Sequence, residues 1–139
     1  MPGGDDDSPG IGSAAPTVTV RYIAKDVSES VDFYTRHLGF EIALDARPAF
    51  ALLARGPLRL ALSGLTGPGG GSQAKADGRK PEPGGWNRIQ IAADDLATAV
   101  ARLRATGARF CNEIVNGNGG MQIILDDPSG NPIELFQRY

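Results

Sequence analysis

The same order of elements, a strand, a helix and then three strands, is written twice along this chain. Val18-Thr19-Val20-Arg21-Tyr22-Ile23 is a β-branched, partly alternating run with the period of a strand. Asp26 follows with Glu29 at capping-box spacing, and Val27, Val31, Tyr34 and Leu38 recur on one helical face. Gly39 is the expected stop. Phe40 to Leu44, Phe50 to Ala54 and Leu58 to Leu62 then predict three short strands, the last two joined by a tight turn at Arg55-Gly56-Pro57. The second copy runs from a strand at Arg88 to Ala92, through a helix that starts at Asp95 and stops at Gly107, with Leu96, Ala99, Val100 and Leu103 as its buried stripe. Three strands follow at Phe110 to Val115, Met121 to Leu125 and Ile133 to Phe136, with the turn Asp127-Pro128-Ser129-Gly130-Asn131 before the last.

Neither copy could close a core alone, and 139 residues that are 41% hydrophobic are the size of one domain. The expected architecture is therefore α+β, with two βαβββ modules forming curved mixed sheets around a cavity. Residues 17–139 make the domain: module one at 17–63, a connector at 64–85 and module two at 86–137. Residues 1–16 carry too little apolar surface to offset their ordering entropy and read as a tail. The connector, with Gly69-Gly70-Gly71 and Pro81-Glu82-Pro83, is long for a plain loop, which leaves a linker and a lid both open.

Charge excludes some partners. Fourteen Lys and Arg against sixteen Asp and Glu create no field that would recruit nucleic acid or an anionic membrane, and no window approaches the roughly 20 apolar residues of a membrane span. Cys111 has no partner for an intrachain disulfide and is expected to be a buried structural thiol. With residues 1–16 lacking a positive start and an apolar run, the protein is expected to be cytoplasmic. His37, the one histidine, sits at the end of the first helix, where a cation suits the helix dipole. Gly117, Gly119 and Gly120 lack the strand-to-helix setting of a phosphate loop and read as a hairpin turn.

Two stretches carry a resemblance. Asp26-Val27-Ser28-Glu29-Ser30-Val31-Asp32-Phe33-Tyr34, running to Leu38-Gly39-Phe40, resembles the first helix of the vicinal oxygen chelate superfamily, which includes glyoxalase I, extradiol dioxygenases and bleomycin- and fosfomycin-resistance proteins. Asp126 to Leu135 resembles its closing signature. The resemblance implies the glyoxalase/bleomycin-resistance fold and a homodimer. Metal-using relatives hold a divalent ion with one side chain from the first strand and one from the last strand of each module, commonly His, Gln or Glu. Superposing Asp26 on Asp95 places Thr19 opposite Arg88, and superposing Gly56 on Gly130 places Leu60 opposite Glu134; a shift of one residue would offer Ala61 for Leu60. Only Glu134 is an ordinary ligand, so no metal and no other cofactor is expected, and a divalent ion through Glu134 is disfavoured. Arg88 and Glu134 are instead expected to pair.

The leading expectation is a small-molecule binding and sequestration protein of the antibiotic-resistance type, taking a hydrophobic or aromatic molecule. Its ligand-binding residues would be Thr19, Phe50, Arg59, Leu60, Trp86, Asn87, Arg88 and Gln122, because aromatic surfaces with a few amide or guanidinium donors suit a planar organic ligand. The alternative is a glyoxalase-like lyase or isomerase, or a dioxygenase, with an unorthodox or metal-free site in which Glu134 is the catalytic group. A partner protein with a blocked cavity would leave the same pattern.

Overall fold

A computed structural model describes residues 16–139; the expected tail lies outside them apart from Pro16. Module one runs β1 (Val18–Ala24), α1 (Val27–His37), β2 (Glu41–Ala46), β3 (Phe50–Arg55) and β4 (Leu58–Gly64). Module two runs β5 (Ile89–Ala92), α2 (Leu96–Ala105), β6 (Arg109–Phe110), β7 (Val115–Asn116), β8 (Gly120–Asp126) and β9 (Pro132–Arg138). The Asp26 carboxylate accepts from the Glu29 N–H at 3.1 Å and starts α1. Asp95 does the same for α2, accepting from both the N–H and the hydroxyl of Thr98, which hold its carboxyl below the usual range. Gly39 and Gly107, at φ +73° and +88°, turn the chain out of the two helices.

Each module is a mixed sheet in which the first strand lies parallel to the last. The orders are β1-β4-β3-β2 and β5-β9-β8-β6, with β7 also on β8. The strand expected at Phe110 to Val115 is two short pieces. The Asn112 side chain accepts from the Ile124 N–H at 2.9 Å, taking a place that a strand backbone would fill, and the ladder breaks there.

Among the described residues, the α-helices cover one face of the sheets only. Tyr22 and Ala24 of β1, Leu53 of β3, and Leu60 and Leu62 of β4 enter the core with Val31 and Tyr34 of α1; Ile91, Ile123, Ile133 and Leu135 do so with Leu96 and Val100 of α2. Because side chains alternate along a strand, the residues between these line the opposite, helix-free face. Side chains, not a continuous ladder, join the modules. The Tyr22 hydroxyl donates to the Pro132 carbonyl at 2.7 Å and accepts from the Ile89 N–H at 2.9 Å. Tyr34 donates to the buried Asp127 carboxylate at 2.8 Å, and Asn131 donates to the Ile23 carbonyl at 2.7 Å.

The connector packs against β1 and β4. It includes a 3-10 turn at Gly70–Ser72; the Ser72 hydroxyl donates to the Gly64 carbonyl at 2.6 Å, and the Gly84 N–H donates to the Asn131 side chain at 2.9 Å. No described helix is long and apolar enough to cross a membrane.

Candidate functional site

The helix-free face is built by alternation. On β5 and β9 the buried Ile89, Ile91, Ile133 and Leu135 point to α2, so Arg88, Gln90, Glu134 and Phe136 point the other way. The expected pair forms there: both Nε and Nη2 of Arg88 donate to Oε1 of Glu134, at 3.0 and 2.9 Å. Gln90, directly opposite Glu134 in the ladder, donates to Oε2 at 2.6 Å. Glu134 is only 6% exposed, so its charge is offset by a guanidinium and an amide, not by water.

In module one the same face carries Thr19, Arg21 and Ile23 from β1, Ala61 and Ser63 from β4, and Phe50 and Leu52 from β3. The Arg21 guanidinium donates to the Ser63 hydroxyl at 2.6 Å. Leu60 is fully buried in the core beneath α1 and cannot line a site; Ala61 takes its place. The ladder registers make the equivalence explicit, since Arg21 opposes Ala61 as Gln90 opposes Glu134. The four positions that would correspond to a metal cage are thus Thr19, Ala61, Arg88 and Glu134.

A divalent ion does not fit them. They offer a hydroxyl, a methyl, a cationic guanidinium and a carboxylate whose two oxygens already accept hydrogen bonds. Among the described residues no three His, Cys, Asp or Glu side chains come together as a metal-binding group.

The other expected binding residues are distributed unevenly. Phe50 and Gln122 are half-buried on the helix-free face, Gln122 opposite Phe136 in the ladder. Thr19 is exposed beside Arg59, whose guanidinium is turned back onto the Gly56 and Leu58 carbonyls. Asn87 and Arg88 line a cleft of 370 Å³ along the seam of the modules, with Arg21 and Ile23 opposite. Trp86 is 85% exposed and touches the site only through its carbonyl, which accepts from Arg88. Arg21, Ser63 and Gln90 were missed by the sequence reading, although Arg21 and Gln90 follow the corner residues Thr19 and Arg88 by two and must share their face.

Cys111 is exposed, not buried; partial desolvation and the Asp126 carboxylate, 3.4 Å away, push its thiol up and keep it protonated. His37 is exposed at the end of α1, away from the Arg88 and Glu134 pair.

Comparisons with known proteins agree with this architecture. The model of the Glyoxalase/Bleomycin resistance protein/Dioxygenase superfamily matches residues 16–135. No curated protein matches. Among solved structures, a member of that superfamily from Sphaerobacter thermophilus DSM 20745 is 24% identical, with 90% of this chain and 98% of that one covered at a TM-score of 0.72. TnmS3, an antibiotic-binding protein from Streptomyces sp. CB03234, is 21% identical over 93% of this chain and 100% of its own, at 0.70. Lactoylglutathione lyase from Agrobacterium tumefaciens is 21% identical over 91% and 95%, at 0.69.

Proposed function

The chain belongs to the glyoxalase/bleomycin resistance protein/dioxygenase superfamily, and from that premise we propose that it binds and sequesters a small aromatic or hydrophobic molecule on its helix-free face without a metal. The observation that carries this is the Arg88, Glu134 and Gln90 cluster. A closed ion pair stands where a chelating relative would place two ligands; Ile124 and Phe136 flank it in module two, and Phe50 and Leu52 lie on the corresponding face of module one. Such a face offers stacking surface and a few fixed donors, which orient a planar ligand without reacting with it. The likeness in fold to an antibiotic-binding protein supports sequestration of the antibiotic-resistance type.

The enzymatic alternative asks Glu134 to act as a base. Both of its oxygens already accept from neighbours. Binding is the reading that the geometry supports better.

The protein acts as a homodimer in this reading, with Ile42 and Leu44 of the exposed strand β2 as the apolar surface to be covered. A free thiol at Cys111 suits the reducing cytoplasm. Light scattering of the purified protein should give twice the 14.6 kDa chain mass; a monomer at micromolar concentration would contradict the dimer. A thermal-shift screen of aromatic natural products should return ligands whose affinity falls about tenfold on Phe136→Ala or Phe50→Ala. Ligands indifferent to both substitutions would place binding elsewhere.

A further inference from the structure

We infer that the connector is a wall of the binding site, and that the molecule admitted carries an anionic group, of the carboxylate, sulfonate or phosphonate class, docked on Arg21. This rests on the binding reading above and adds the charge of the ligand to it.

The Arg21 guanidinium meets only the Ser63 hydroxyl, and no carboxylate lies within ion-pair distance of it among the described residues. The connector then lays its 3-10 turn directly over that guanidinium. A Cβ added at Gly71 would collide with Nη1 and Cζ of Arg21 and with the Ser63 hydroxyl, so only glycine lets the chain come this close. Beyond the turn the connector bounds a second cleft of 640 Å³, which shares Ile23 and Glu82 with the seam cleft and is walled by Lys75, Arg79 and Lys80.

Charge across the two clefts is lopsided. Asp77 neutralises Arg79, at 2.7 Å, and Glu134 neutralises Arg88. Arg21, Lys75 and Lys80 remain without a carboxylate within 4 Å among the described residues, against Glu82 as the one acidic residue lining either cleft. The chain as a whole has a formal charge of −2, so this local excess of cations is opposite in sign to the molecule. A planar guanidinium that lines the seam cleft and has one neutral acceptor retains N–H groups able to pair with the two oxygens of a carboxylate or sulfonate.

Two fluorescent probes with one aromatic frame separate the possibilities: 8-anilinonaphthalene-1-sulfonate, which is anionic, and N-phenyl-1-naphthylamine, which is neutral. The full chain should bind the sulfonate about tenfold more tightly, and added salt should erode that preference. Arg21→Gln should abolish the preference for the sulfonate over the neutral probe, and Arg21→Lys should retain part of it. Lys75→Gln with Lys80→Gln should weaken the sulfonate alone. Gly71→Ala, whose Cβ would displace the Arg21 guanidinium and press on the Ser63 hydroxyl, should also reduce the preference. Equal binding of both probes, or a preference that survives Arg21→Gln in protein with unchanged circular dichroism, overturns this inference and leaves the binding reading standing. Binding of neither probe overturns both.

Discussion

At the scale of single residues, the distinction between Leu60 and Ala61 decides which side chains can meet a ligand. Leu60 is wholly buried under α1, so Leu60→Ala should cost about 2–4 kcal/mol of stability, read as a lowered urea midpoint, with little effect on the affinity of any ligand bound on the other face. A loss of affinity without a loss of stability would reverse the assignment. The ion pair can be tested in the same way. Arg88→Gln and Glu134→Gln should each destabilise by about 1–3 kcal/mol, and the double substitution by clearly less than their sum, because each single change strands a poorly solvated charge. Additive costs would show that the two groups do not interact. The pairing was legible because Arg88 and Glu134 could be aligned through the repeat. Leu60 was misplaced because the turn glycines are not equivalent: Arg55 opposes Leu58 across a two-residue turn, whereas Asp126 opposes Pro132 across five residues. Superposing Gly56 on Gly130 therefore slips the strand by one, and a slip of one exchanges its faces.

Elements were easier to read than their seams. Both helices start at the capping aspartates and stop at the glycines that the sequence marks, since capping is local chemistry. The interrupted strand around Asn112 was not legible, because its cause is a side chain reaching a backbone N–H on β8 twelve residues away. The connector was illegible for a similar reason. Its composition announces a loop, but its course depends on contacts with Gly64 and Asn131 and on the fit of Gly71 over Arg21. Gly120, expected in a hairpin turn, instead begins β8 and is buried, where a Cβ would strike the Gln137 carbonyl and the Arg138 backbone. Backbone cannot yield as a side-chain tip can, so Gly120→Ala should cost about 1–3 kcal/mol, whereas Gly71→Ala, which meets the Arg21 tip and the Ser63 hydroxyl, should cost less. Equal thermal stability of the two variants would refute this contrast.

For the whole molecule, a few polar bridges join the two modules beside their shared apolar core, and two of them are tyrosines. Burial, with the Asp127 charge next to it, raises the Tyr34 hydroxyl well above its ordinary value; burial also raises Tyr22. A raised folded value means that the folded state holds its proton more tightly, so this stabilisation is fully present below about pH 10, where an unfolded tyrosine titrates, and is lost as pH rises above it. Urea midpoints measured from about pH 8 to 11 should fall steeply at the alkaline end, and Tyr34→Phe should fall less steeply while starting about 1 kcal/mol lower. Identical slopes would remove Tyr34 from the account. The cradle that these bridges hold in place is claimed to bind without a metal, and this is open to direct measurement. Chelator-treated protein titrated with N-phenyl-1-naphthylamine should give a dissociation constant that changes by less than about twofold when zinc, nickel or manganese is added. Binding that appears only with one of these ions, and that Glu134→Gln abolishes, would contradict it.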